Sequence, residues 1–207
     1  MFVITADQVE SRSHADLVAT TIESLNNGTV ATVLEADRTA GDELQVLIAS
    51  PLDALAVVLQ LTRSGQWSVG CGVGNVVAPL PKNIRAATGE AFIAARRAVE
   101  RAKKRPTRFA LETEPAAQAA ADAESLTDLL VALRARRSPE GWELYDLLER
   151  HEVTQTEAAV MLGISPQAVS LRARAAELRT EQAARPSLAR ILRQLDSVDS
   201  TATERRL

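Results

Sequence analysis

Residues 153–178, VTQTEAAVMLGISPQAVSLRARAAEL, constrain this chain more than any other stretch. Thr154 offers a side-chain oxygen where a helix would begin. Glu157, three residues on, completes a capping box, so the spacing predicts a helix start there. Ala158, Val160, Met161 and Leu162 supply its apolar side. Gly163 stands where the chain must turn sharply and a residue tolerant of positive φ is needed. Ile164 plugs the corner, and Ser165-Pro166 restarts a helix with serine as cap and proline at the first helical position. Val169 turns inward, while Gln167, Ser170, Arg172 and Arg174 project from the other sides of this second helix. These are side chains that read base edges and grip phosphates, and two short helices so joined can lay one of them in the major groove of DNA. An ordinary helical hairpin inside a larger bundle is the competing reading. The coincidence of cap, glycine, corner and polar face favours DNA.

The pattern T-Q-x-E-A-A-x-x-L-G-I-S-x-x-A-V-S falls on Thr154, Gln155, Glu157, Ala158, Ala159, Leu162, Gly163, Ile164, Ser165, Ala168, Val169 and Ser170. It resembles the helix-turn-helix of sigma-factor region 4 and related bacterial regulators. The resemblance implies double-stranded DNA as a partner. Thr154, Gln155, Ser165, Gln167, Ser170, Arg172 and Arg174 are the candidate contacts, the first two beside phosphates and Arg172 as a reader of guanine.

Composition sets the frame for the rest. A chain of 207 residues suits one large or two small domains. Residues are 46% hydrophobic but only 3% aromatic, so cores must be packed by Ala, Val, Leu and Ile. A formal charge of −3 gives no global basic field, so DNA binding needs a local surface, doubled by a homodimer. The single cysteine, Cys71, excludes a disulfide within one chain and fits a reducing cytosol. With two histidines it does not suggest a zinc site. No apolar run approaches the length of a membrane span, and no basic-then-apolar leader opens the chain, so a cytoplasmic protein without membrane contact is expected.

The chain changes character midway. MFVITA, TVATVLEA, LQVLIAS, WSVGCGVGNVV and RFALE read as strands, with DRTAGDE as a hairpin turn around Gly41. Ala15–Leu25, Pro51–Thr62 and Gly89–Lys104 have helical spacing. The predicted order over residues 1–112 is β-α-β-β-α-β-α-β. TEPAAQAAADAE, residues 113–124, is small and polar and reads as a linker or a frayed helix start. From 125 to 207 nothing resembles a strand. Helices are expected over Ser125–Arg137, Ser138–His151, the pair described above and Pro186–Leu195, with a frayed tail from Asp196. An α+β chain of two domains follows: an α/β domain over 1–112 and an all-α, helix-turn-helix domain over 125–207.

A second constellation lies in the first half. Asp7 ends the first strand, and Asp42 sits at the hairpin tip. In a βαββαβ arrangement these places are neighbours, and two carboxylates brought together favour a hard cation such as Mg²⁺ with substrate phosphates. The loop Gln8–Ser13 enters a helix and could hold an anion through its N–H groups, with Arg12 adding charge. MFVITADQVESR, TAGDELQVLIASPLDAL, WSVGCGVGNVV and GEAFIAARRAVERAKK together resemble the SatD-like family. More distantly they resemble class III nucleotide cyclase and GGDEF domains. The SatD-like pattern G-x-A-F-x-x-A-R falls on Gly89, Ala91, Phe92, Ala95 and Arg96. The resemblance covers roughly the first half of the chain and implies a ferredoxin-like or cyclase-like α/β sandwich, often paired, with a nucleotide pocket. The cyclase likeness implies Asp7 and Asp42 as metal ligands and Arg97 as the phosphate-steadying arginine. Ile93 stands where cyclases carry the ribose-orienting asparagine.

Other residues read more plainly. Gly70, Gly72 and Gly74 lie within a strand and indicate close packing or a bulge rather than a phosphate loop. The basic cluster Arg96, Arg97, Arg101, Lys103, Lys104, Arg105 and Arg108 reads as a solvated helix end, with DNA phosphate as the alternative. Cys71 reads as a small core hydrophobe. Two functional expectations result. The first is a dimeric transcriptional regulator whose first domain dimerises or senses a nucleotide, with no catalytic residues. The second is a metal-dependent nucleotide-binding or cyclase-like signalling enzyme using Mg²⁺ and a nucleotide.

Overall fold

A computed structural model describes residues 1–204 other than 12, 14, 115, 151 and 152, so the candidate Arg12 and both histidines lie outside the described residues. The chain is mixed α+β, with one five-stranded sheet and eight α-helices among the described residues. β1 (Phe2–Gln8) is the central strand. It pairs antiparallel with β3 (Glu43–Ile48) on one side and β4 (Trp67–Val73) on the other. β2 (Leu34–Ala40) lies outside β3, and β5 (Phe109–Glu112) runs parallel to β4, giving the order β2-β3-β1-β4-β5.

Alternation along β1 sends Phe2, Ile4 and Ala6 to one face and Val3 to the other. The first face is covered by α1 (Val18–Asn26), α2 (Pro51–Thr62), α4 (Ala117–Ala135) and α8 (Leu178–Glu204). There Ile4, Val46 and Cys71 share one apolar cluster with Leu55, Val58, Ala123, Leu130, Leu188 and Leu192. The second face carries α3 (Glu90–Ala102). Its Ala91, Ala95, Ala98 and Ala102 are buried against β1, β4 and β5. A Cβ on Gly72 would collide with Ala91 O and Ala95 N, and one on Gly70 would lie 2.6 Å from Ala95 O. The glycine run is therefore a groove in which a helix of alanines rides directly on the strand backbone. With so few aromatics, close approach takes the place of bulk.

The observed order matches the predicted β-α-β-β-α-β-α-β, but boundaries move. The strand expected at 29–36 begins at Leu34 and runs through Asp37, Arg38 and Thr39, leaving only Gly41 (φ 47) and Asp42 between the strands. Its polar residues are accommodated because β2 is an edge: Arg38 pairs with Asp16 at 2.6 Å, and Asp37 accepts from Asn83 and Arg85 at 2.9 Å. Residues 117–124, expected with 113–116 as a linker or a frayed helix start, are the opening turns of α4. Ala120 and Ala123 enter the sheet core, and Glu124 is buried beneath Leu111 N (2.7 Å) and Arg105 (2.8 Å). The last helix begins at Leu178 rather than Pro186, which it carries inside, and continues past Asp196 to Glu204. Core burial of Leu188, Leu192 and Leu195 outweighs the backbone bond that an internal proline forfeits. No helix among the described residues is long and apolar enough to cross a membrane.

A buried ionic cluster ties several of the helices to one another. Glu181 of α8 accepts from Arg134 at the end of α4 and from Arg137 beyond it, at 2.7 Å for the latter. All three are at most 4% exposed at their side chains. The rings of Trp142 and Tyr145, in α5 (Pro139–Arg150), stack on both guanidiniums at 4.5–5.0 Å.

Two stability outcomes follow. Gly72→Ala should cost about 3 kcal/mol or more in urea unfolding, since neither α3 nor β4 can retreat. Glu181→Ala, which strands two buried cations, should cost about 3–5 kcal/mol in the same measurement. Either variant within about 0.5 kcal/mol of the parent would contradict the packing described.

Candidate functional site

Three short sequence signals position the site. Thr154 caps α6 (Gln155–Leu162), its Oγ1 accepting from Glu157 N while its own N–H donates to Glu157 Oε2 at 2.7 Å. That backbone N–H, and then the Thr154 hydroxyl, hold the Glu157 carboxyl below its ordinary pKa. Gly163 adopts the left-handed conformation at φ 64, and Ile164 N reaches back to Ala159 O at 3.0 Å, closing the helix end. Ser165 then caps α7 (Pro166–Ala175) by accepting from Ala168 N at 3.1 Å. Ala158, Ala159, Val169 and Ala173 are buried together with Leu144 of α5. Val160 and Met161, expected on the inner side of α6, are instead exposed. Two alanines suffice to fill the narrow gap between these short helices.

On α7 the exposed residues Gln167, Ser170, Leu171 and Arg174 follow the spacing i, i+3, i+4, i+7 and form one stripe. Ser170 Oγ donates to Gln155 Oε1 at 3.4 Å, so the start of α6 and this stripe face the same way. Thr154 and Ser165 are exposed as well. Arg172 stands apart. It pairs with Glu143 of α5 at 3.2 Å and is only 23% exposed, whereas Arg174, expected beside it as a contact, is exposed. A cleft of about 270 Å³ opens beside the stripe, lined by Gln155, Ser170, Arg174, Arg179 and Thr180 among others. Arg179 and Thr180, at the start of α8, and Leu171 were not singled out from the sequence. The stripe's helical spacing would have found Leu171, but only the fold brings Arg179 beside Arg174.

The first-half constellation is partly assembled. Asp7 pairs across the ladder with Glu43, and Gln8 N donates to Asp42 O at 3.0 Å, so the two aspartates share one end of the sheet. Their carboxylates turn to different partners. Asp7 Oδ2 lies 3.1 Å from Lys103 Nζ, while Asp42 Oδ2 accepts from Ser11 Oγ at 2.5 Å. Burial works to lower the pKa of the Lys103 ammonium, but hydrogen bonds to Glu100 and Asp7 outweigh it and raise it. Arg97 is not brought to the aspartates. It pairs with Glu114 at 2.7 Å on another side of α3, and Arg96 is the one directed toward Glu43, at 3.5 Å. Among the described residues, no group of three or more His, Cys, Asp or Glu side chains could hold a metal ion. Asp7 and Asp42, expected as metal ligands, thus share one end of the sheet but engage separate partners.

The basic cluster is not a bare solvated end. Arg101 binds Glu112 (2.8 Å) and Glu124, and Arg105 binds Glu124 and Asp128, so the cluster docks α4 onto α3 and β5. Cys71 is buried, and burial pushes its thiol up to about 12, the condition of an inert core residue. Comparison with protein-family models, with curated proteins and with solved structures finds no match to this chain.

Proposed function

We propose that this chain is a DNA-binding transcriptional regulator that acts as a homodimer, with α6 and α7 as a helix-turn-helix. The observation that carries the reading is the single outward surface made by the capped start of α6 and the α7 stripe, joined at Gln155 and Ser170. Thr154, Gln155 and the N–H groups at the start of α6 would lie against one phosphate backbone. Gln167, Ser170 and Arg174 would face base edges, with Leu171 against a thymine methyl and Ser165 at the groove wall. Arg179 and Thr180 would add phosphate contacts at the other side of the cleft.

In this reading the first 112 residues are a SatD-like, cyclase-like domain. The order β2-β3-β1-β4 with α1 and α2 on one face supports a ferredoxin-like arrangement. Its part would be to support the dimer or to sense a ligand from the cytoplasm. The signalling-enzyme reading draws less support, because Lys103 already neutralises Asp7, and Arg97 faces away from both aspartates.

Sequencing the genomic fragments retained by the purified protein should yield one repeated or palindromic motif with half-sites about one helical turn, ~34 Å, apart. On that motif Arg174→Ala should weaken binding by about 1–3 kcal/mol in gel shifts, and Arg172→Ala by less. Unselective retention of all sequences would refute the proposal. In a thermal-shift assay with Mg²⁺ and ATP or GTP, a rise in melting temperature that Asp7→Asn with Asp42→Asn abolishes would establish nucleotide sensing by the first half. No shift with any nucleotide would leave that half as scaffold.

A further inference from the structure

An apolar groove of about 460 Å³ runs between α4 and α8, lined by Leu126, Leu129 and Leu133 from one helix and Ala184, Leu188 and Ile191 from the other. The two helices are antiparallel. Arg134 near the end of α4 meets Glu181 near the start of α8, while Ala123 and Leu192 share the sheet core at the other ends. Leu129 is 68% exposed and Leu126 is 44% exposed, large values for leucines at the middle of a long helix. Neither is needed to close the core of its own chain, because Leu130 and Val131 already do that.

We infer that this groove is the face through which two copies of the chain associate, α4 against α4 about a two-fold axis beside Leu129. Along α4 and its C-cap the residues Asp122, Leu126, Leu129, Leu133 and Arg136 recur at alternating steps of four and three, one continuous stripe. Its ends carry opposite charge, and both end residues are exposed. Leu129 stands midway, seven residues from each. An antiparallel pairing centred there sets Asp122 of each copy against Arg136 of the other and closes the leucines between two ion pairs. A two-fold interface must be complementary to itself, and this stripe satisfies that condition with sign as well as shape. Among the described residues Arg136 has no ion-pair partner in its own chain, and Asp122 has only the amide of Gln118, at 3.0 Å.

The same geometry spaces the proposed readers. The last turn of α7 docks at the Arg136 end of α4, where Arg137 Nε donates to Ala176 O at 3.0 Å. Two Arg136 residues in the pairing would stand ~21 Å apart along the helix axis, at a rise of about 1.5 Å per residue. The two α7 helices lie beyond those points, on the scale of one turn of DNA. This surface deepens the dimeric reading above and rests on the DNA-binding proposal only for that spacing.

Sedimentation equilibrium of the full chain tests it. The parent should be a dimer, and Leu129→Asp a monomer with an unchanged circular-dichroism spectrum, because the residue is outside the fold's own core. Asp122→Arg should raise the dimer dissociation constant by about tenfold or more, because the two-fold repeats the repulsion twice. Asp122→Arg with Arg136→Asp should restore it, since the swapped stripe is self-complementary again. A parent that is monomeric at every concentration loaded overturns the inference. So does a dimer indifferent to both Leu129→Asp and Asp122→Arg. A Leu129-dependent dimer that retains DNA without selectivity would uphold this face while sinking the regulator; a selective monomer would do the reverse.

Discussion

One buried carboxylate holds the halves of this molecule together. Glu181 accepts from Arg134 and Arg137, and Arg134 also reaches Leu59 O on α2 at 3.3 Å, so α2, α4 and α8 converge on one charge. Two cations against one anion leave a positive excess, in a place where an unpaired charge is expensive. The faces of Trp142 and Tyr145 take up that excess, and Arg63 adds a third guanidinium 4.0 Å from the Trp142 ring while pairing with Asp146 at 2.7 Å. Among the described residues Arg134 Nε and Arg137 Nη1 have no hydrogen-bond partner, so the rings rather than further hydrogen bonds compensate the cluster. Ionic contacts are directional in a way that leucine contacts are not. The arrangement of the helices on the sheet is therefore specified more narrowly than apolar burial alone would make it.

The consequence reaches α7. Arg137 caps a carbonyl at that helix's C-terminal end, the end that favours a cation, while its other nitrogen is fixed by Glu181. A helix with only Val169 and Ala173 buried has little apolar surface with which to orient itself. The guanidinium supplies the missing constraint from one end, and the Ser165 cap and left-handed Gly163 supply it from the other. The stripe Gln167, Ser170, Leu171, Arg174 is thereby presented outward by a rigid base. Rigidity of this kind is what a base-reading surface needs, because contacts formed without reordering lose less entropy on binding.

Local signals were legible in the sequence and long-range ones were not. Thr154 with Glu157, Gly163 and Ser165-Pro166 specify their caps and turn through residues at most three apart, and each is found where its chemistry places it. The glycine run was readable as close packing because three absent side chains on one strand leave a groove that something must fill. For residues 113–124 a helix start was readable as one of two alternatives, but its burial was not. A stretch of alanines and acids looks solvent-facing until Arg101, from α3, and Arg105, just beyond it, bury Glu124. The tether on Arg172 was hidden for the same reason: its partner Glu143 is 29 residues away, and nothing local distinguishes a tethered arginine from a free one. Asp7 and Asp42 were correctly expected at one end of the sheet, since strand order fixes that. Lys103 on Asp7 could come only from the third dimension.

Charge distribution completes the account of how an acidic chain could address a polyanion. Arg96, Arg97, Arg101, Lys103 and Arg105, five of the seven basic residues in the densest run, each meet a carboxylate within the chain. They serve as internal ties, and their field outside the molecule is largely cancelled. Among the described residues, Arg174 and Arg179 enter no ion pair, and they flank the same cleft as Gln155 and Ser170. The nearby acid, Glu177, is turned to the Thr180 hydroxyl at 2.7 Å. A net charge of −3 is then no obstacle, because screening over about 8–10 Å lets a phosphate respond to this cleft rather than to the whole protein. The same screening limits what one such cleft can do. Two unpaired arginines release few counterions, so selective binding under this proposal would lean on base contacts, and a second reader brought by the α4 surface would add to them by avidity.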